Sequence, residues 1–362
     1  MKRLSILAAF LLLLATPTEA CTSVIVSARA SATGRPLLWK QRDTSAGFNY
    51  LDHFQATDST YAFTGMVNSS DSERESVWCG SNEAGFSIIN TQSYGLSPLV
   101  TDDRPYEGMV MKKALGICRT VSDFEAYIAS LPQPNGLEAN FGVIDADGGA
   151  AWFEVHDYGY TRFNVSDAPE GYIIRTNWSV TGREGEGKGY DRFDMATSLM
   201  AAHEGGFSAE WIIDTLGRQE IIARDKTVCS VVIEGPGAGD RKDSAVLWCV
   251  PGYTPCSYAV PAWVAAGDDI ATPLRYTDRE GKRGSGLNEL ANSLMKKFFL
   301  KEGRPDRRSA ILAAVRNHET LEFDEGRKLD GEMRSSGFDA KAVRSFNSKA
   351  DAIFRDFVIS VQ

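Results

Sequence analysis

The segment Cys21-Thr22-Ser23-Val24-Ile25-Val26 alternates polar and apolar residues, as a half-buried strand does, and begins directly behind what reads as an export signal. That placement makes Cys21 the first residue of the mature chain. Its α-amino group then lies beside its own thiol, so a single residue supplies a nucleophile and a general base. A terminal amine titrates at about 7.7 to 8.0 and a free thiol at about 8.5, so at neutral pH part of the amine is neutral and can take the thiol proton, directly or through a water.

The signal itself has three parts. Lys2 and Arg3 give a positive start, Leu4 to Ala15 is an almost unbroken apolar run, and Thr16 to Ala20 is polar and ends in small residues. The apolar run is shorter than the roughly 20 residues that span a bilayer, and no second run of that length follows. Thr18 and Ala20 stand at the −3 and −1 places of a small-x-small cleavage site. This predicts a signal peptide over residues 1–20 and a secreted or periplasmic product. The rival reading is an envelope or binding protein whose Cys21 is a lipid-attachment site or a disulfide partner. Lipid attachment favours an aliphatic residue at −3 and a small one at −2, which Thr18 and Glu19 fit poorly.

Downstream of Val26, Thr33-Gly34-Arg35-Pro36 reads as a turn and Leu37 to Arg42 as a second strand, so the mature chain opens with a hairpin. A further hairpin is expected over Trp78 to Asn90 with its turn at Asn82-Glu83-Ala84-Gly85. Another joins Asn140 to Asp145 with Ala150 to His156 across Asp147-Gly148-Gly149, and Gly171 to Asn177 reads as a short strand. Helical spacing appears in Tyr106 to Cys118, Ser122 to Leu131, Asp191 to His203 and Ser208 to Leu216. After a strand at Ser244 to Val250 the chain reads as mainly helical, with amphipathic stretches at Leu287 to Leu300, Arg308 to His318 and Ala340 to Ile359. Strands separated by helices on a 362-residue chain predict a layered α+β domain.

With 39 basic and 48 acidic residues the net charge is −9, and no basic cluster occurs, which disfavours nucleic acid and anionic membrane surfaces as partners. Besides Cys21 the cysteines are Cys79, Cys118, Cys229, Cys249 and Cys256. Any disulfide is expected among the last three, with pairing not readable from sequence. The four histidines, His53, His156, His203 and His318, show no metal-ligand spacing and read as packing or surface residues. Cys79-Gly80-Ser81 is similar to part of a papain-type nucleophile segment, but Asn82 and Glu83 stand where a second cysteine and an aromatic are required. Cys79 therefore reads as structural.

Several of these segments, in order, resemble the N-terminal-nucleophile hydrolases of the linear-amide group. They are Cys21-Thr22-Ser23, Leu37-Leu38-Trp39-Lys40-Gln41-Arg42-Asp43, Asn82-Glu83-Ala84-Gly85, Arg175-Thr176-Asn177-Trp178 and Gly189-Tyr190-Asp191-Arg192-Phe193. That group holds the choloylglycine (bile salt) hydrolases, the penicillin V acylases, an acyl-coenzyme A:6-aminopenicillanate acyltransferase and acid ceramidase. The likeness runs from Cys21 to about His203. It implies a four-layer αββα sandwich over residues 21–270, followed by a mainly helical part over 271–362.

The resemblance also implies roles. Cys21 would attack an amide carbonyl to give a thioester, Asp43 would hold the amine, and Asn82 and Asn177 would stabilise the tetrahedral centre. Arg192 would support the site from a distance. Lys40 stands where many members carry arginine; it keeps the charge and loses the planar fork that grips a carboxylate. By strand alternation Arg42 points to the opposite face from Asp43. Asn177 also begins an Asn-Trp-Ser sequon, whose bland reading is a glycosylated surface site. Trp39, Phe48, Tyr50 and Phe54 read as core residues or as an acyl pocket. No cofactor or metal is implied. The expected partner is a small acyl amide, with hydrolysis and acyl transfer both open and a homo-oligomer possible.

Overall fold

The computed structural model describes residues 20–97, 106–276, 284–300 and 305–362, so the expected signal segment over residues 1–19 lies outside the described residues. Thirteen strands form two antiparallel sheets among the described residues. The first carries Cys21. It runs in the order β10 (Tyr172–Arg175), β1 (Ala20–Val26), β2 (Leu37–Asp43), β11 (Thr227–Glu234), β12 (Val246–Pro251), β13 (Val260–Trp263). The second holds β3 (Asn49–Phe54), β4 (Phe63–Asn68), β5 (Cys79–Asn82), β6 (Ser87–Gln92), β7 (Ala139–Ile144), β8 (Ala150–His156) and β9 (Gly159–Asn164), in sequence order.

The sheets stack face to face, with β1 and β2 lying over β6 and β7. Ile25, Leu38, Met66, Ile89 and Trp152 join one buried cluster there, and each such side chain is worth roughly 1.5–3 kcal/mol on full burial. On the outer face of the seven-stranded sheet lie α1 (Tyr106–Ile117) and α2 (Val121–Ala129). Their cover is a separate apolar layer including Phe86, Ile88, Met111, Leu115, Phe124 and Phe153. Gly80 permits the close approach of α1, because a Cβ there would meet Leu115 Cδ1 at 2.9 Å. Thr120 caps α2 with a reciprocal bond to Asp123.

Against the six-stranded sheet pack α3 (Tyr190–Ala201), the short α4 (Ala209–Trp211) continued by Ile212–Leu216, and α5 (Gly286–Leu294) continued by Met295–Phe299. The layers are therefore helix, sheet, sheet, helix. The last two helices, α6 (Pro305–Ser336) and α7 (Ala340–Ser360), extend the second helical layer. Their Ile311, Val315, Phe323, Phe346 and Phe357 belong to the same cluster as Val24 and Trp39, so this helical part shares its core with the six-stranded sheet.

α6 runs well past the expected His318. Charged residues carry it onward by pairing with β11 and with connecting segments beside the sheet, since Asp330 accepts from Arg35 Nη1 at 2.8 Å, Glu319 from Arg218 at 2.8 Å, and Arg327 donates to Glu234 at 2.6 Å. Trp248 stacks on Phe323 with ring centroids 4.3 Å apart. Strand β13 also interrupts the mainly helical region expected after Val250. All six cysteines are free and buried, and no disulfide joins Cys229, Cys249 and Cys256.

Candidate active site

Cys21 sits inside β1, with its Cα opposite Arg42 on β2. Its backbone nitrogen donates to Asn177 Oδ1 at 2.8 Å, a bond from a loop just past β10. Asn177 is itself pinned, because its Nδ2 donates to the Gln92 carbonyl at 2.7 Å. Arg192 completes the group. Its Nη2 donates to Asn177 Oδ1 at 2.7 Å and its Nη1 to Thr22 Oγ1 at 2.8 Å and to the Cys21 carbonyl oxygen.

The sequence around α3 explains how an arginine on the helix's first turn folds back to the strand. Gly189, just before the helix, has φ +78, and a Cβ there would lie 2.1 Å from Arg192 Nη2. Only glycine leaves that space. Burial lowers the Arg192 pKa, as does Arg224 close by, while Asp43 and Cys21 oppose both.

Asp43 closes β2 directly across from Ala20, the residue before Cys21. Its carboxylate accepts from Thr227 Oγ1 at 2.6 Å and from Arg224 Nη2 and Nε at 2.7 and 3.1 Å. Burial pushes this carboxyl up, and Arg224 and Thr227 pull it down. Lys40 points the other way, into the space between the sheets. Its Nζ donates to the Trp78 carbonyl at 2.9 Å and to Asn90 Oδ1 at 2.5 Å. Burial lowers its pKa, and the nearby Cys21 thiol raises it.

Asn82 is not in this group. Its Nδ2 donates to the Leu115 and Cys118 carbonyls, each at 2.8 Å, and its Oδ1 accepts from the Ala84 and Phe86 amides at 3.1 and 2.9 Å. Both amide hydrogens are spent tying the β5–β6 hairpin to α1, so Asn82 has none for a substrate oxygen. The expectation placed on it is corrected. The asparagine of this hairpin that reaches the Cys21 side is Asn90, near the end of β6, where β5 has already ended. A polar residue closing the apolar run Ile88-Ile89 was the signal for it. Arg224 and Thr227 were also missed, having no motif of their own.

Other expectations resolve plainly. Asn177 is wholly buried, so its sequon is not a surface site. Cys79 is buried, and its thiol is pushed up by that burial. Trp39 is fully buried and donates to Ser230 Oγ at 2.8 Å, while Phe54 stacks on Phe63 at the far end of β3 from Asn49. His318 Nε2 pairs with Asp356 at 3.0 Å on the outer helices, far along the chain from Cys21. Among the described residues no cluster of three or more His, Cys, Asp or Glu could hold a metal ion, and no helix is long and apolar enough to cross a membrane.

No family model and no curated protein matches the chain. Solved structures do. A Caenorhabditis elegans ortholog of N-acylethanolamine-hydrolyzing acid amidase is 13% identical, with a TM-score of 0.45 over 62% of this chain and 96% of that one. Penicillin V acylase from Agrobacterium tumefaciens is 14% identical, with a TM-score of 0.41 over 66% and 85%. A conjugated bile acid hydrolase variant from Clostridium perfringens is 9% identical, with a TM-score of 0.47 over 75% and 100%.

Proposed function

We propose that the chain, cut before Cys21 on export, is an N-terminal-cysteine amidohydrolase that cleaves a linear amide through an acyl-Cys21 thioester. The observation that carries this reading is the bond from the Cys21 backbone nitrogen to Asn177 Oδ1. A structural cysteine has no need of a buried asparagine that accepts from its main-chain nitrogen while a buried arginine fixes that asparagine and the cysteine's carbonyl oxygen. A catalytic amine needs that.

In this mechanism Asn177 Oδ1 orients the amine, and Asp43, next along β2, offers its carboxylate once Ala20 is gone. The neutral amine takes the Sγ proton, and the thiolate attacks the substrate carbonyl carbon. The second Nδ2 hydrogen of Asn177 and the amide of Asn90 are the neutral donors for the oxyanion. Collapse breaks the C–N bond, and the leaving amine takes the proton from the α-ammonium. Water, deprotonated by the same amine, then attacks the thioester and releases the acid. Acyl transfer differs only in that an amine replaces the water.

The lipid-anchor reading is disfavoured by burial. Cys21 is 4% exposed and its strand is paired on both sides, by β10 and by β2, whereas a lipidated cysteine belongs at a free chain end. Turnover of a panel of acyl amides by the mature protein and by Cys21→Ala tests the proposal. Equal activity of the two would refute it.

A further inference from the structure

A groove of about 400 Å³ lies on the outer face of the seven-stranded sheet, between α1 and the hairpin of β3 and β4. It exists because α1 packs over β5 and β6, while the edge strand β3 lies beyond them. One wall is a single face of the helix, since Met109, Lys112, Lys113 and Gly116 recur at three-and-four spacing. Two bonds fix its width. The Tyr61 amide donates to the Gly116 carbonyl at 2.8 Å, and Lys112 Nζ donates to the Arg74 carbonyl at 2.6 Å.

The floor is apolar. Phe54 stacks on Phe63 with ring centroids 4.5 Å apart, and Met109 lines the same space while 42% exposed. The rim is cationic. Lys112 Nζ lies 5.1 Å and the Arg74 guanidinium 5.2 Å from the centre of the Phe54 ring, and the exposed Lys113 makes no hydrogen bond or ion pair among the described residues. Against these three stand Glu75, which lines the groove, and Asp52, which pairs with Arg74 at 2.7 Å. The groove therefore keeps an excess of positive charge on a chain whose net charge is −9.

The backbone supports the same reading. Arg74 has φ +53 and is the one non-glycine residue with a positive φ among the described residues, a conformation that a side chain disfavours. Asp71 holds the turn in place, accepting from the Glu75 and Ser76 amides at 3.1 and 2.8 Å. Strain of this kind collects where a side chain has to be presented to a ligand.

We infer that this groove is a second ligand site, and that its occupant is a small amphipathic anion. Its carboxylate is held by Lys112 and Lys113, and its apolar body lies on Phe54, Phe63 and Met109. Lys112 spends one of its three N–H donors on Arg74 and has two left for the anion. The volume is at the lower end of small-molecule sites, which run from about 300 to 1,000 Å³, so it suits one short-chain molecule rather than a protein segment. Cys21 is on a strand of the other sheet, so the inference stands apart from the amidohydrolase reading.

The test uses mature protein carrying Cys21→Ala, so that turnover plays no part, with ¹³C in the methionine methyl groups. The Met109 signal, assigned through Met109→Leu, is followed while octanoate, octanamide or octyltrimethylammonium is added. Octanoate is expected to shift it saturably, with octanamide roughly 5- to 20-fold weaker and the cation weaker still. Lys113→Glu is expected to weaken octanoate by a similar factor and to leave octanamide unchanged, and Lys113→Arg to keep octanoate binding. Lys113 is exposed, and thermal melts of both variants verify that they fold as the parent does. No saturable shift with octanoate, equal affinity for octanoate and octanamide, or undiminished octanoate binding in Lys113→Glu would each overturn the inference. Preference for the cation would overturn it too, by assigning the groove to Glu75.

Discussion

Asn177 Oδ1 and the backbone nitrogen of Cys21 stand 2.8 Å apart, joined across 156 residues of chain. The same oxygen takes a hydrogen from Arg192, so the polarity of the amide is fixed with its oxygen toward the cysteine nitrogen and its Nδ2 toward Gln92. An amide held that way can orient an amine with one end and donate to a developing oxyanion with the other. Asn177→Ala is expected to lower kcat by about 100- to 1,000-fold with a small change in KM, measured on the best amide of the panel. A drop confined to KM would assign Asn177 to binding instead.

Gly189 and Arg192 form a paired prediction. Gly189→Ala introduces a Cβ at φ +78 that would lie 2.1 Å from Arg192 Nη2, so the guanidinium has to leave Asn177 and Thr22. The backbone strain alone costs about 1–2 kcal/mol. Activity is expected to fall as far in Gly189→Ala as in Arg192→Ala, and the double variant to be no worse than either. Additive losses in kcat would show that the two act separately.

Asn82 and Asn90 separate stability from catalysis. Asn82→Ala leaves the Leu115 and Cys118 carbonyls at the end of α1 and two amides of the hairpin without their partner, at a cost of about 1–3 kcal/mol in unfolding free energy, with kcat kept in the folded fraction. Asn90→Ala is expected to show the opposite pattern, a loss in kcat that exceeds its loss of stability. Denaturant melts and kinetics on the same preparations decide it.

A pH effect follows from Glu322 on α6. Its two carboxyl oxygens are buried without hydrogen-bond partners, and burial, with Asp351 and Glu325 nearby, pushes its pKa from the ordinary 4.5 up to about 8. Between those values the folded chain holds a proton that the unfolded chain has released. Stability therefore falls as pH rises through that window, by an amount on the order of a few kcal/mol, and levels off above it. Glu322→Gln is expected to remove the slope, so its gain in Tm over the parent chain is larger at about pH 8 than at about pH 5. Equal gains at both would place the proton elsewhere.

Much of this was legible in the sequence because the hairpins carry local signals. The alternation from Ser23 and the turn at Gly34 and Pro36 locate β1 and β2 and put Asp43 and Arg42 on opposite faces, as they are. Tertiary facts were not legible. Asn82 sits in a turn whose sequence reads the same whether its amide faces a substrate or the end of α1, and only the position of Cys118 and Leu115 decides. α6 hid its length because beyond His318 its buried face mixes Phe323, Leu329 and Met333 with charged residues paired to Arg35, Arg218 and Glu234.

The central claim is that the amine of Cys21 must be free, and retention of a single residue tests it. Two forms are prepared, one beginning at Cys21 and one beginning at Ala20, with the N-terminus of each verified by intact mass before and after assay. The account predicts turnover of acyl amides by the first and none by the second, although both keep the thiol, Asp43, Asn177 and Arg192. Equal turnover by the Ala20 form, with Ala20 still attached at the end of the assay, would contradict it.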